Sequence, residues 1–413
     1  MSAPSPPSPR ETPMRSVPIR PGAELAPFGR TVLVMTLAAL LVPGQMYVVL
    51  PLLTGMSGDW GGNPQRMVWT LTAFGLAFVM GAVVAGPLAD RFGRRPVVIA
   101  GLAVVAFASA VLAAAPSLEV GVWSRVAQGI GAAAFSRVAL TYLGERVVPG
   151  RRWAAWSAIT TAAFASLPAG QAAAEFLAAI VGWRGVFGAS AVASVLLAML
   201  VRLVMLPDVP AGEEPTTSVR VLGHFVARGR VLLLSLVMLA TLASLGSVFT
   251  VAQLAAPTDW NTDTTYTLSA CSAAVIVVVA AATVWLRRWP PTRLAVVALL
   301  VAALATVVLA LGGRSVPVAV LAVLTLVAAT AVVPSALVSA ALSMVGQATG
   351  PLTSLLVLVA LLGATLGPQL VAWGSGTGFA AVLLMVGLVQ LVSAGLVFLA
   401  ERQASAASGR ASR

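Results

Sequence analysis

The chain of 413 residues has little charge and almost none of the side chains that bind metals or form disulfides. Only 9% of its residues are charged, and it has one histidine, His224, and one cysteine, Cys271. Lysine is absent, so all 25 basic residues are arginine. A single cysteine excludes a disulfide scaffold, and we find neither metal-ligand spacing nor a nucleotide-binding loop. No metal and no other cofactor is therefore expected.

Apolar residues take the place of the missing charges and make up 59% of the chain. One soluble core cannot bury that many, so lipid must solvate much of the surface. A formal net charge of +12 would suggest nucleic acid for a soluble protein. Here the arginines fall mostly between apolar runs, where they orient the chain and contact anionic headgroups. The sequence predicts a membrane protein with lipid, not nucleic acid, as its partner.

Twelve apolar runs of about 20 residues fit the length, which predicts twelve transmembrane helices rather than the short alternating strands of a barrel. We call these runs spans 1 to 12. A polar stretch divides them into two six-helix bundles. The expected parts are a disordered tail over 1–30, a first bundle over 31–206, a central loop over 207–230, a second bundle over 231–400 and a tail over 401–413. Arginine is concentrated on the side of the tails and central loop, so both termini are predicted to be cytoplasmic.

A charged motif connects spans 2 and 3 and reads Gly86-Pro87-Leu88-Ala89-Asp90-Arg91-Phe92-Gly93-Arg94-Arg95. Arginines alone would serve topology, but an aspartate and two glycines at fixed offsets indicate a further role. The motif resembles the signature loop of the major facilitator superfamily, Gly-x-Leu-Ala-Asp-Arg-x-Gly-Arg-Arg. The resemblance implies two six-helix bundles and transport by alternating access. It assigns a gating role to Gly86, Leu88, Ala89, Asp90, Arg91, Gly93, Arg94 and Arg95. Asp90 would face the start of span 11 at Gly350-Pro351.

Four shorter segments extend this resemblance. The segment Arg125–Gly131 in span 4 is similar to the family's Arg-x-x-Gln-Gly pattern, and Gly182-Trp183-Arg184 is similar to its connection between spans 5 and 6. The Gly-Pro motif of the family's antiporters is only partly present in span 5, at Ser166–Gln171. Gly363 and Gly367-Pro368 in span 11 look like its second-half echo. The group resembled most is that of drug and metabolite efflux by proton antiport.

Few ionisable residues lie inside the spans, where an unpaired charge is costly. Arg125 in span 4 and Glu175 in span 5 lie at about the same depth, with Gln128 and Gln171 each one turn deeper. The four residues are predicted to form one polar cluster. A buried glutamate beside a buried arginine allows two protonation states, which proton coupling requires. A static ion pair between spans 4 and 5 is the alternative.

Other polar residues are candidates for a substrate cavity. Arg137 lies too far along span 4 to join the cluster; it either reaches the headgroups, pairs with Asp90 or Glu145, or attracts anions at the cavity mouth. Pro43-Gly44-Gln45 with Tyr47 interrupts span 1, as expected of a bent cavity-lining helix or of simple helix packing. Weaker candidates, which serve equally well as interhelical contacts, are Ser244, Ser247, Thr250 and Gln253 in span 7 and Thr330, Pro334 and Ser335 in span 10.

These features predict a secondary transporter of a bacterial inner membrane that exports a small, mostly apolar drug or metabolite, driven by protons and functional as a monomer. Uptake or facilitated diffusion of a metabolite is the alternative, with Glu175 and Arg125 structural. A membrane enzyme would need clustered acids, histidines or cysteines, and a sensor would need a signalling domain. The sequence contains neither, so the chain is not predicted to be an enzyme.

Overall fold

The computed structural model describes residues 25–207, 229–255, 257, 260–286, 288–345 and 349–411, and within these ranges the chain forms helices and no strand. Most of the predicted tail 1–30 and central loop 207–230 lies outside the described residues. The predicted tail 401–413 continues the last helix as far as Ala411.

The first half of the chain supplies six α-helices and one 3-10 turn. Three of the predicted spans differ from single straight helices. Span 1 is broken after Gly44 and resumes through the turn Leu50–Leu52, whereas spans 5 and 6 form one long helix that bends at Gly182, where φ is 68°. The helices are α1 Phe28–Gly44, α2 Leu53–Trp60, α3 Pro64–Phe92, α4 Arg94–Ala113, α5 Leu118–Arg146 and α6 Pro149–Val204.

The second half supplies six further helices, one for each of spans 7 to 12. Their apolar character is nearly continuous, as expected of segments that lipid and other helices surround on all sides. They are α7 Gly229–Leu254, α8 Thr262–Leu286, α9 Pro291–Gly312, α10 Val316–Val345, α11 Thr349–Trp373 and α12 Phe379–Ala411.

Nine helices in the described part of the chain are long and apolar enough to cross a membrane. One of them, α6, contains two spans. The broken first span and the more polar α5 complete the predicted set of twelve. Large apolar side chains such as Phe107, Leu203 and Leu311 are exposed on the outside, which suits contact with lipid tails. The prediction of a multi-pass, all-α membrane protein is confirmed.

The helices pack as two halves that meet along two lines. Within the first half α3 packs on α5, α4 on α5 and α6, and α1 on α6; within the second, α7 packs on α11 and α9 on α10 and α12. The halves touch mainly where α3 meets α11 and where α6 meets α8, with a smaller contact between the turn Leu50–Leu52 and α7. Any binding site shared by the halves must lie between these contacts.

Glycines let two helices of the second half approach unusually closely. A Cβ at Gly363 would lie 2.0 Å from the carbonyl oxygen of Leu239, and one at Gly367 would lie 2.2 Å from that of Ala243. No larger residue fits there without moving α7 away from α11. The first half has a similar close approach, because a Cβ added at Gly170 of α6 would lie 2.9 Å from the carbonyl oxygen of Gly44 in α1. Gly170 of the span 5 motif and Gly363 and Gly367 of its second-half counterpart thus all have a packing role.

The two ends of the helices differ in charge. We call the end where α1 begins and α3 ends the arginine-rich face, since Arg91, Arg94 and Arg95 lie there. We call the opposite end, with the bend at Gly182 and the connection after Trp373, the arginine-poor face.

Candidate functional site

A small recess lined mainly by carbon lies between the halves, with a volume of about 10 Å³, close to the space that one water molecule needs. The two hydroxyl groups in its lining donate to carbonyl oxygens of their own helices, Thr241 to Val237 and Thr330 to Leu326. The recess therefore offers an apolar surface to a bound compound. Its lining comes from both halves and comprises Phe164 of α6, Thr241, Leu242 and Leu245 of α7, Ile276 of α8, and Val327, Thr330 and Ala331 of α10.

One side of α6 connects this recess to a polar region. Phe164, Gln171 and Glu175 are spaced by seven and four residues, so they project from the same side of the helix. We call these three residues the α6 strip. Its end nearest the arginine-poor face contacts the second half, because Gln253 Nε2 of α7 donates a 2.8 Å hydrogen bond to Glu175 Oε1.

The α6 strip contains buried polar atoms without partners. Glu175 Oε2 and both amide atoms of Gln171 form no hydrogen bond with any described residue. Gln171 is completely buried, and Glu175 is 7% exposed. Such atoms are rare in folded proteins and are often found at functional sites. The strip is the most promising polar part of the site.

Arg125 does not belong to that group, which corrects the sequence-based expectation of one cluster. Its guanidinium is fully buried and donates to the carbonyl oxygens of Gln45 at 2.8 Å, Met46 at 3.0 Å and Thr70 at 3.1 Å. It also donates to Gln128 Oε1 at 2.7 Å and lies over the Phe74 ring, 4.4 Å from the centroid. Because the N–H groups of the guanidinium are engaged by these acceptors, the predicted contact between Arg125 and Glu175 is absent among the described contacts. The expected cluster assumed that the side chains of Arg125 and Glu175 point toward each other, whereas each has partners of its own.

The acceptors of Arg125 explain why it is buried. Gln45 and Met46 lie in the break of the first span, where the helical bonding pattern ends and carbonyl oxygens lack their usual partners. The arginine supplies those hydrogen bonds and so fixes the break. Gln128 Nε2 extends this network by donating a 2.7 Å hydrogen bond to the Ser109 hydroxyl.

The break also positions two predicted cavity residues. Gln45 and Tyr47 are both buried, and Gln45 Oε1 has no partner among the described residues. The 3-10 turn that follows packs on both α6 and α7, which brings this region to the contact of the two halves.

Two further contacts join the halves, and sequence reasoning missed both. The Thr72 hydroxyl of α3 donates to Gln369 Oε1 of α11 at 2.8 Å, and Gly75 of α3 accommodates the Thr365 side chain. A Cβ at Gly75 would lie 2.1 Å from Thr365 Oγ1. A polar Gln369 within an apolar span was the available signal for a partner on another helix.

These contacts and the bond between Glu175 and Gln253 lie in the halves of their helices nearer the arginine-poor face. We call them the closed layer. The hydrogen bond from Thr72 to Gln369 and the one from Gln253 to Glu175 both belong to this layer. The recess lies on the other side of it.

The signature motif forms the end of α3, a turn at Gly93 and the start of α4. The turn has φ 90° and ψ 152°, a backbone conformation that favours glycine. Asp90 is half-buried and has no hydrogen bond or ion pair with the described residues. Arg94 forms a two-pronged ion pair with Glu145, and Arg95 donates to the Arg202 carbonyl oxygen. The two arginines thus join helices of the first half to each other.

The remaining candidates are scattered. Ser247 and Thr250 are buried on α7, where Thr250 donates to its own helix, and Ser335 is exposed on α10. The side chain of Arg137 and those at Gly350-Pro351 lie outside the described part of the structure. None of the candidates in this group lines the recess.

A polar clasp at the arginine-poor face gives the segment after Gly182 a structural role. Asp59 accepts hydrogen bonds from Trp183 Nε1 at 3.0 Å and Arg184 Nε at 3.1 Å. Arg184 also donates to the carbonyl oxygens of Ala113 and Ala115. The clasp joins α2, the end of α4 and the bend of α6 within the first half.

Comparison with known proteins identifies the family. The profile of the Major Facilitator Superfamily matches residues 35–368, which is most of the chain. The chain belongs to the major facilitator superfamily. Membership in this family of transporters agrees with the prediction that the chain is not an enzyme.

Two curated relatives and one solved structure are informative. The Methylenomycin A resistance protein of Bacillus subtilis is 31% identical over 160 residues, which is 38% of this chain and 34% of the relative. The Tetracenomycin C resistance and export protein of Streptomyces glaucescens is 29% identical over 188 residues, 45% of this chain and 34% of the relative. The matches thus span about a third of each relative's length. A D-xylose-proton symporter shares the fold, with a TM-score of 0.70, 18% identity, and coverage of 89% of this chain and 96% of that one.

Proposed function

We propose that the protein is a proton-coupled efflux transporter for a small, mostly apolar drug or metabolite, working by alternating access. The observation that carries this proposal is the site between the halves, where a single carboxyl group, Glu175, lies on the same helix side as an apolar recess. A sugar, phosphate or amino-acid site would need more polar or charged partners. The names of the two relatives, which refer to resistance and export, favour efflux over uptake.

In this proposal Glu175 carries the coupling proton. Its Oε1 is bonded to Gln253 in the second half, and its Oε2 is buried without a partner. Burying a carboxylate without full hydrogen bonding is costly, and a bound proton removes the charge. Protonated Glu175 can therefore remain within the closed layer, whereas the ionised form gains from the water that enters when the layer opens. Arg125, which the first interpretation paired with Glu175, has a positioning role in the break of span 1.

The moving bodies in this mechanism are the two bundles, over 31–206 and 231–400, with the central loop 207–230 as their link. The closed layer separates them from the arginine-poor side. The residues of the signature motif control closure at the opposite face, with Asp90 as the charged group that meets the second half. Substrate entering from the arginine-rich side reaches the recess first.

Orientation follows from charge. Short arginine-bearing connections remain on the cytoplasmic side of a bacterial inner membrane, so the arginine-rich face and both termini are placed there. Because one chain supplies both sides of the recess, we propose that the monomer transports its substrate. Protons and membrane lipids are its other partners.

A two-stage experiment tests the proposal. A susceptibility panel in cells that lack or overproduce the protein first identifies an exported compound. Purified protein in vesicles then exports that compound under an imposed proton gradient. We expect Glu175→Gln to abolish gradient-driven transport but to retain exchange or downhill flux, because glutamine keeps the shape and loses the titration.

The matched control is Glu119→Gln, which changes an exposed carboxyl group in the first turn of α5. It should transport like the wild type. Gradient-driven export by Glu175→Gln at the wild-type rate would overturn the coupling role of Glu175. Export by the wild type that does not respond to the proton gradient would favour a uniporter. Net accumulation by cells that overproduce the protein would favour an uptake permease.

A further inference from the structure

Gln171 is the least satisfied buried side chain of the α6 strip. It is completely buried, and neither Nε2 nor Oε1 bonds to a described residue. Leaving a buried polar group unpaired costs about 1–3 kcal/mol. Gln128 is equally buried and follows the usual rule, because its Oε1 accepts from Arg125 and its Nε2 donates to Ser109. Stability therefore accounts for Gln128 but not for Gln171.

The position of Gln171 points to a ligand. It lies on the same side of α6 as Phe164, which lines the recess, and as Glu175, which contacts the second half. Two helical turns separate Gln171 from Phe164, about 10 Å, and about 6 Å separates it from Glu175. The amide thus lies between an apolar surface and the closed layer, where alternating access brings the substrate.

We propose that Gln171 recognises a neutral head group of the substrate that has a hydrogen-bond donor and acceptor side by side: a carboxamide, lactam or imide. This proposal rests on the efflux function proposed above. A glutamine amide presents one N–H donor and one carbonyl acceptor on the same edge, and a lactam presents the complementary pair. Two parallel hydrogen bonds then satisfy both atoms of Gln171 at once.

The surroundings favour this class of compound over a charged one. The lining of the recess beside Phe164 is mainly carbon. Among the described side chains of the site, no arginine is free to pair with an anionic head, since Arg125 is bonded to backbone carbonyl oxygens. Glu175 Oε2 lies one turn from the amide and is also unpaired. A substrate with an additional acceptor can receive a hydrogen bond from that carboxyl group when it is protonated.

Calorimetric binding to the purified full chain tests the proposal with two probes. The first is 2-quinolinone, a lactam with adjacent N–H and C=O groups; the second is its N-methyl derivative, which lacks the donor. We expect the wild type to bind the first probe about 5- to 30-fold more tightly than the second, which corresponds to a difference in binding free energy of about one or two kcal/mol. In Gln171→Leu the affinities for the two probes should be nearly equal.

Thermal unfolding of the empty protein separates recognition from a structural role. Gln171→Leu removes an unpaired amide and should leave the melting temperature unchanged or raise it, whereas Gln128→Leu breaks two hydrogen bonds and should lower it. The proposal is overturned if Gln171→Leu retains the wild-type preference, if it destabilises the protein as much as Gln128→Leu does, or if the wild type binds neither probe. Proton-driven export, tested through Glu175→Gln, can stand or fail independently of these results.

Discussion

Thr72 donates a 2.8 Å hydrogen bond to Gln369 across the two halves, within a buried environment. Transport by alternating access requires this bond to break in every cycle. In a protein whose Cys271 is replaced by serine, a short bis-thiosulfonate reagent, which links two thiols through disulfide bonds, should join Thr72→Cys to Gln369→Cys. We expect the joined protein to stop exporting the compound that the susceptibility panel identifies, and a reductant to restore export.

The second half offers a matched control for this experiment. Thr306 of α9 donates to Gln390 of α12 at 3.0 Å, also between buried residues, but both helices belong to one half. Joining Thr306→Cys to Gln390→Cys should leave transport intact. Undiminished export by the protein joined at Thr72 and Gln369 would show that the halves do not separate there.

The contact of Gly75 with Thr365 sets how closely the halves approach. All three side-chain heavy atoms of Thr365 lie within 2.8 Å of the Cβ that Gly75→Ala would add, so rotating the threonine cannot clear the space. We expect Gly75→Ala to separate α3 from α11 and to lower the yield of the link between Thr72→Cys and Gln369→Cys several-fold. Adding Thr365→Gly should restore that yield.

Gly395→Ala controls for the general effect of alanine in a helix, since nothing lies within 4 Å of its added Cβ. It should leave the link yield unchanged. A wild-type link yield in Gly75→Ala would contradict the assignment of this contact to the closed layer.

The sequence was sufficient for the fold because apolar run length and arginine placement are local properties. The connection between spans 2 and 3 is a local feature in the same sense, because the motif that forms it is continuous in the sequence. The direction in which Arg125 and Glu175 project depends on how α5 and α6 pack, and single-sequence reasoning did not determine it. Thr72 and Gln369 are separated by 297 positions, so their pairing becomes visible only when both helices are in place.

Substituting Gly93 and Gly378 in turn distinguishes a loss of gating from a general loss of stability caused by backbone strain. Gly93 has φ 90° and ψ 152°, and Gly378 at the opposite face has φ 87° and ψ 161°. Alanine at either position should cost about 1–3 kcal/mol of unfolding free energy because this conformation is unfavourable for other residues. Only Gly93→Ala, which distorts the signature motif, should also lower transport per folded molecule.

Asp90→Asn extends this test without straining the backbone. It should reduce transport while leaving substrate binding largely intact, because the motif controls closure. Export rates normalised to folded protein, together with binding titrations, check both variants. Normal export by Asp90→Asn, or an equal loss in Gly93→Ala and Gly378→Ala, would remove the gating role.

Arg125 and Glu175 should differ in what their substitution damages, because they have separate partners. Arg125→Ala leaves the carbonyl oxygens of Gln45, Met46 and Thr70 without their donor, at about 1–3 kcal/mol for each buried group. We expect a melting temperature well below that of the wild type and a lower folded yield. Arg125→Lys should recover only part of the loss, because an ammonium group cannot reproduce the planar fork.

Glu175→Gln should instead keep the wild-type melting temperature, since glutamine retains a carbonyl oxygen to accept the hydrogen bond from Gln253. Arg314→Ala, at an exposed arginine, controls for loss of positive charge and should also melt normally. Thermal unfolding of all four variants in one detergent gives the comparison. Equal destabilisation by Arg125→Ala and Glu175→Gln would indicate that the two residues act as one structural pair after all, and Glu175 would then lose its separate role as the proton carrier.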